Sequence, residues 1–477
     1  MTGSPIDVVG TAIASLVAVD ALASAGHNVR WIRPPGPLNG GFQPLQRDGR
    51  RLELGMRLIE LSYDEAGAPS HQNTEPPLAE YRPGPHGHRP YLGTVERFIR
   101  ALAGDGLRPV EAPSCWVRGT IGADYVVVGD LSDLPRFVDA PTLRRIAAET
   151  AAAVADAGPR GLHGRSPDDP RWDEPLTEIG PAQTGATFWR SLIQPLLDAI
   201  VEPCDIPVSR HRKVWMPLFH PATLHDAATG RLTYCPDRPL YTLAEGGMNL
   251  ILERLEARAL ASGTVTVVPV GPITGVRAAG TQVVFTDASG YEIATISPIV
   301  GVEPRQLFGA AGIAFEPERG MSTLAWVDVD PREAEREVLP SVEWVIDDRL
   351  PVYRIARNRA ESPDPRRCSW IVELRHDLDG DPEIEAVRTI RQLGLGGSST
   401  SAITSVRVPS FAVPDRVNEE RFVAARRAFD QLDLDLHLVG GAVAFTVDSL
   451  NEQIVQGLRA ARAAATENSV ASSAAAA

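Results

Sequence analysis

The sequence predicts an α/β chain in which a parallel-stranded, dinucleotide-type unit is interleaved with a β-sheet part that has its own helices. Three observations carry that prediction. The chain opens on strand–turn–helix–strand, Ile6-Asp7-Val8-Val9-Gly10 leading through Thr11-Ala12-Ile13-Ala14-Ser15 to Val29-Arg30-Trp31-Ile32-Arg33. In mid-chain Gly246-Gly247-Met248 opens a second helix, 249–262, and three strand-like runs follow it. Near the end a short core strand, 437–439, runs into Gly440-Gly441 and a last helix.

In the first unit Ile6, Val8 and Val9 make an apolar strand, Ile13, Leu16, Val17, Val19 and Leu22 a helical face, and Gly26 the stop. Residues 34–41 are rich in chain breakers, and 50–61 read as a strand, a turn at Gly55-Met56 and more extended chain. The Pro-, Gly- and His-rich stretch 64–92 reads as a loop or lid. Helices are expected at 95–103, 141–157 and 186–201, a strand at 125–128, and a polar loop at 158–181. After the 249–262 helix come strands 265–270, 282–286 and 293–300, then 324–329, 342–346, 352–356 and 370–374. Helices at 383–395, 419–432 and 449–464 follow, with 465–477 expected as a disordered Ala/Ser tail.

With 477 residues the chain is long enough for two joined domains. The expected division is 1–62 with 236–310 and 433–466 as the dinucleotide-binding part, 63–235 with 311–432 as the substrate part, and 467–477 as tail. A net charge of −14 argues against nucleic acid and anionic membranes as partners. No apolar run approaches the ~20 residues a span requires, and Met1-Thr2-Gly3-Ser4-Pro5 lacks a basic leader region, so a cytoplasmic chain is expected. Cys115, Cys204, Cys235 and Cys368 are widely spaced, which fits separate reduced thiols better than a zinc site. His86-Gly87-His88 has no third ligand in view, so no metal is expected.

In such a strand–turn–helix the first glycine makes the turn, the second admits a pyrophosphate and the third lets helix pack on strand. The helix N-terminus offers free amides and a positive dipole end. Gly10 keeps the first place, while small Ala12 and Ser15 occupy the others. Arg33 stands where an acid usually holds a ribose.

Four segments in order then carry a resemblance: the opening unit; Gly40-Gly41-Phe42 with Asp48 to Met56; Glu245-Gly246-Gly247-Met248-Asn249 to Leu255; and Leu438-Val439-Gly440-Gly441-Ala442-Val443 with Asn451-Glu452 and Gly457 to Ala461. Over nearly its whole length the chain resembles the superfamily of flavin amine oxidases, protoporphyrinogen oxidases, phytoene desaturases and UDP-galactopyranose mutases. The resemblance implies FAD as cofactor, with NADP or no cofactor as alternatives. It puts Gly10, Ala12, Ser15, Gly40 and Gly41 at the pyrophosphate and Arg33 at the ribose. Ile273 falls at the adenine, Gly55 and Met56 near the isoalloxazine. Gly440, Gly441, Val443 and Ala444 fall where the closing helix region approaches the flavin. The family's acids are missing at Arg33 and Gly441, and its basic residue after the double glycine is replaced by Phe42-Gln43, which removes polar contacts to FAD. Arg33 would alternatively meet a 2′-phosphate.

The implied activity is FAD-dependent oxidation or a mutase-type reaction on a small or sugar-nucleotide-like substrate. The alternatives are a scaffold that has lost FAD, working as a cofactor-independent enzyme or a non-catalytic binding partner. A homodimer or an accessory protein partner fits either reading. Candidate catalytic groups are Tyr353 and Arg357, on one face of a strand by alternation, Arg354 on the other, and His220. His220 and His225 also suit surface or capping roles. Trp326, Trp344 and Trp370 read as core aromatics, and Arg210-His211-Arg212-Lys213 as a solvated loop or a grip for a pyrophosphate-bearing substrate.

Overall fold

The structure, a computed structural model, describes residues 4–36, 38, 43–61, 75–83, 87–166, 169–202, 205–207, 220–233, 235–236, 238–243, 246–360, 367–445 and 449–476. Gly40, Gly41, His86, Cys204 and the 210–213 cluster lie outside them.

Among the described residues one sheet is wholly parallel. It comprises β1 (Ile6–Gly10), β2 (Val29–Arg33), β10 (Val265–Pro269), β14 (Ile299–Gly301) and β20 (His437–Leu438), in the order β10-β2-β1-β14-β20. Every residue of β1 is buried, as a strand covered on both faces requires. On one face lie α1 (Ile13–Ser24), α2 (Asn249–Ala261) and α3 (Leu450–Ala476), sharing a core with Val8, Trp31 and Ile299. Held between sheet and helices, α1 is apolar nearly all round. Val9, Ile32 and Val300 face the opposite core, built on the antiparallel meander β11 (Ile273–Ala279), β12 (Gln282–Asp287) and β13 (Glu292–Thr295) and on Phe308, Phe422 and Phe429.

Short strands β3 (Leu45–Arg47) and β4 (Arg50–Leu52) pair with each other, and β5 (Ile59–Glu60), β9 (Leu240–Leu243) and β6 (Leu107–Pro109) form a small sheet in that order. A further sheet has seven strands. They are β7 (Ser114–Val117), β8 (Thr120–Ala123), β15 (Arg319–Val329), β16 (Val342–Ile346), β17 (Val352–Arg357), β18 (Cys368–Leu374) and β19 (Ser401–Ala412), ordered β19-β15-β18-β17-β16-β7-β8. Trp326, Trp344 and Trp370 are fully buried in this part, as expected of core aromatics.

Several local expectations are corrected. Residues 125–128 form a turn, because the Asp124 carboxylate accepts the amides of Val126, Val127 and Val128 at 2.7, 3.2 and 3.0 Å. The 158–181 stretch contains the start of a helix, Leu176–Thr184, that tolerates Pro181 within it. The helix expected at 186–201 is broken by a π turn, Trp189–Ile193. Pro195 has no N–H to give the Ser191 carbonyl, which takes Arg118 Nη2 at 3.0 Å instead. Strand β19 escapes periodicity analysis because it carries polar Thr404 at a buried position and Pro409 among its exposed ones. The disordered tail is also corrected: α3 continues through an Ala-rich run of high helix propensity to Ala476, with Asn468 Nδ2 bonded to the Ser4 carbonyl at 3.1 Å.

Candidate functional site

Strands β1, β14 and β20 end at a common crevice at the N-terminus of α1. Gly10 has φ +103°, and a Cβ there would lie 2.2 Å from the Gly301 carbonyl oxygen, so this tight turn demands glycine. The Ala12 amide is bonded to that carbonyl at 3.1 Å and the Ala14 amide to Gln453 Oε1 of α3 at 3.3 Å. The amides of Ile13 and Ser15 make no hydrogen bond among the described residues, and the buried Ser15 hydroxyl has no partner. No acidic residue stands in this first turn. Across the crevice Gly440, at φ +74°, donates its amide to Gln456 Oε1 at 2.7 Å, and a Cβ on it would come within 3.1 Å of the Ala12 Cβ. Gly441 abuts Pro304. The crevice therefore keeps a turn, a positive helix end, two unpaired amides and an orphaned hydroxyl, which fit a pyrophosphate such as that of FAD.

The corner at the end of β2 differs from the 2′-phosphate alternative. Arg33 is nearly buried over the Trp31 ring, 4.4 Å from its centroid, and gives Nη1 to the Gly36 carbonyl at 2.7 Å and Nη2 to Glu256 Oε1 of α2 at 2.6 Å. Its charge is thus already neutralised by Glu256. The Ile273 carbonyl takes Gln306 Nε2 at 3.3 Å, and its side chain packs in the meander core. Val443 and Ala444 precede α3 rather than begin it, and the Val443 amide bonds to the Gly440 carbonyl at 3.2 Å.

The second part of the site surrounds a residue that sequence reasoning passed over. Glu373 of β18 is 3% exposed and accepts Tyr353 Oη at 2.9 Å, Arg354 Nε at 2.7 Å, Arg354 Nη2 at 2.6 Å and the Met56 amide at 3.3 Å. Gly55, at φ +89°, brings the turn down onto this carboxylate. Burial pushes Glu373 up, but Arg354 and Tyr353 outweigh it and hold the carboxyl below its usual range. Burial and the Glu373 charge drive the Tyr353 phenol well above its usual value, so it stays protonated. Arg354 also lies over the Trp344 ring at 5.0 Å.

The alternation that joined Tyr353 to Arg357 is broken by a bulge between Val352 and Arg354. Tyr353 and Arg354 consequently share Glu373, while Arg357 pairs in register with Trp370 and binds Glu111 Oε1 at 2.8 Å. Arg359 joins the same Glu111 at 3.1 Å. His220 is buried at the start of the helix Pro221–Ala228, and His225 Nδ1 lies 2.9 Å from the Ala147 carbonyl.

Two more buried acids tie the parts together. Glu53 is 2% exposed; Oε2 accepts the Arg359 amide at 2.8 Å, and the Met248 backbone is a second donor to the carboxylate. Gly247 leaves room for it, since a Cβ there would lie 2.6 Å from Oε1, and burial pushes the Glu53 carboxyl up to about 7. Glu452, in the first turn of α3, accepts Tyr81 Oη at 2.5 Å and meets His88 Nδ1 at 2.7 Å, with both His88 and Glu452 fully buried. A lone carboxylate inside an apolar run, as in Trp370-Ile371-Val372-Glu373-Leu374, was the available sequence signal for Glu373. Among the described residues no cluster suits a metal ion, and no helix is long and apolar enough to cross a membrane.

No protein-family model and no curated protein matches the sequence. Solved structures do match the fold. A reduced UDP-galactopyranose mutase overlays with TM-score 0.69 at 13% identity, covering 96% of this chain and 93% of its own. Cyclohexylamine oxidase from Brevibacterium oxydans gives 0.56 at 12%, with 98% and 99% covered. A fatty acid isomerase from P. acnes gives 0.55 at 12%, with 96% and 98% covered. These likenesses show that the chain shares the fold of these proteins over nearly its whole length.

Proposed function

We propose that the protein is an FAD-dependent enzyme of this fold acting on a small-molecule or sugar-nucleotide-like substrate. The observation that carries the reading is the α1 crevice, with the unpaired amides of Ile13 and Ser15 and the orphaned Ser15 hydroxyl beside Gly10. These groups would hold the pyrophosphate, with Gly440 and Gly441 closing the far side. The Gly55-Met56 turn, set on Glu373, would carry the ring end. When bound, a flavin supplies hydride acceptance from a C–H bond of a C–N or C–C unit that becomes a double bond, or non-redox chemistry of the mutase type. Tyr353 and Arg354 are committed to Glu373, so their role is to fix that turn, with the phenol proton retained.

Purification followed by a visible spectrum and FAD titration tests the reading. A yellow protein with one flavin per chain, stabilised further by a nucleotide sugar, is the expected result. A colourless protein that takes up no FAD at high micromolar concentration overturns it and leaves the scaffold-without-flavin alternative.

A further inference from the structure

At the end of β2 a positive side chain stands where dinucleotide folds place a carboxylate for the ribose hydroxyls. The carboxylate is not missing from the corner, however. Arg33 reaches back over Trp31 and clamps Glu256, which arrives from α2 rather than from the strand. Only Glu256 Oε1 is used by Arg33; Oε2 has no hydrogen-bond partner among the described residues, and the Glu256 side chain is 25% exposed. On the other side of the pair, Arg33 Nε is buried without an acceptor. Nη1 is fixed by the Gly36 carbonyl, so the guanidinium cannot swing away to satisfy it.

An unpaired, part-exposed acceptor thus lies on a clamped ion pair beside the crevice. A ribose hydroxyl is the complement of such an acceptor, since it donates to the carboxylate. A 2′-phosphate is the wrong chemistry here, because it would set its negative charge against Glu256. We propose that Glu256, oriented by Arg33, is the ribose-binding carboxylate of this protein, transferred from strand to helix, and that the corner selects an unphosphorylated adenosine ribose. This rests on the FAD reading above for the identity of the whole ligand, while the corner itself requires only an adenosine diphosphate moiety.

The test uses the full chain and quenching of flavin fluorescence to measure affinity. Wild type should bind FAD, and ADP should displace it several-fold better than 2′-deoxyADP. Glu256→Gln should weaken FAD about tenfold, the scale of one charged hydrogen bond. It should abolish the preference for ADP over 2′-deoxyADP and leave affinity for FMN, which has no adenosine, unchanged. Arg33→Gln, which frees Glu256 from its clamp, should weaken FAD by a smaller factor. Equal FAD binding by wild type and Glu256→Gln, or an equal loss for FMN, overturns the inference while the cofactor reading stands. If wild type binds no FAD but discriminates ADP from 2′-deoxyADP through Glu256, the cofactor reading falls and the ribose corner stands. Binding of neither FAD nor ADP overturns both.

Discussion

Replacing Glu373 by Gln keeps the shape of the side chain and removes its charge. Arg354 then remains in the interior opposite a neutral amide, and one of its two N–H bonds loses its acceptor. Breaking a buried ion pair by neutralising one partner costs about 3–5 kcal/mol. The Arg354 side chain keeps 21% exposure, so solvent softens the loss and the lower end, about 3 kcal/mol, applies. Urea unfolding followed by tryptophan fluorescence is the assay, with Trp344 under Arg354 as a local reporter. Adding Arg354→Met should recover most of the loss, because two well-packed neutral groups replace an orphaned cation. The pH dependence has a definite sign. Because the folded carboxyl lies below its usual value, the stability it contributes is present above the unfolded value of 4.5 and is lost as pH falls through the folded one. The gap between wild type and variant should therefore narrow in acid. A variant within about 0.5 kcal/mol of wild type at pH 7, or a double variant no more stable than the single, refutes the reasoning.

Glu53 behaves in the opposite sense. Its folded carboxyl is raised from 4.5 to about 7 by burial, so its favourable contribution is complete below pH 4.5 and disappears as pH rises through about 7. At about 1.4 kcal/mol per unit this amounts to roughly 3 kcal/mol. Denaturant midpoints for wild type and Glu53→Gln should diverge between pH 5 and 8, and a pH-independent difference would rule this out. Gly10→Ala should lower the melting temperature sharply. The new Cβ would meet the Gly301 carbonyl at 2.2 Å with a backbone at φ +103°, for a loss of at least about 2 kcal/mol; a normal melt would show that the turn can relax.

Much of the scaffold was legible because its signals are local. Gly10 and the apolar spacing of 13–22 dictate a strand–turn–helix without help from distant residues. The same holds for the helix after Gly246-Gly247. The bulge beside Tyr353 was hidden, because alternation presumes a regular ladder and only the partner strand reveals the slip. The turn at 125–128 looked like a strand because Val-Val-Val has strand propensity, and one carboxylate two residues upstream redirected it. Arg33 is visible in the sequence as a cation where an acid is usual, but its partner lies 223 residues away on another helix, beyond any local pattern. Glu373 and Glu452 escaped for the same reason: their roles are defined by groups that the fold, not the sequence order, brings to them.

The bond from the Ala14 amide to Gln453 spans 439 residues. Gly457 of the same helix presses so closely on α1 that a Cβ there would lie 2.4 Å from the Ala14 carbonyl oxygen. Helix α1 is therefore completed only by a segment that lies 439 residues further along the chain. At about 5–20 residues per second, roughly 20 to 90 s separate the synthesis of Ala14 from that of Gln453. Throughout that interval the apolar flank of α1 that α3 later covers has no permanent neighbour. The nascent chain must be shielded by transient contacts or by chaperones, and removal of α3 should yield aggregation during synthesis rather than a smaller folded protein.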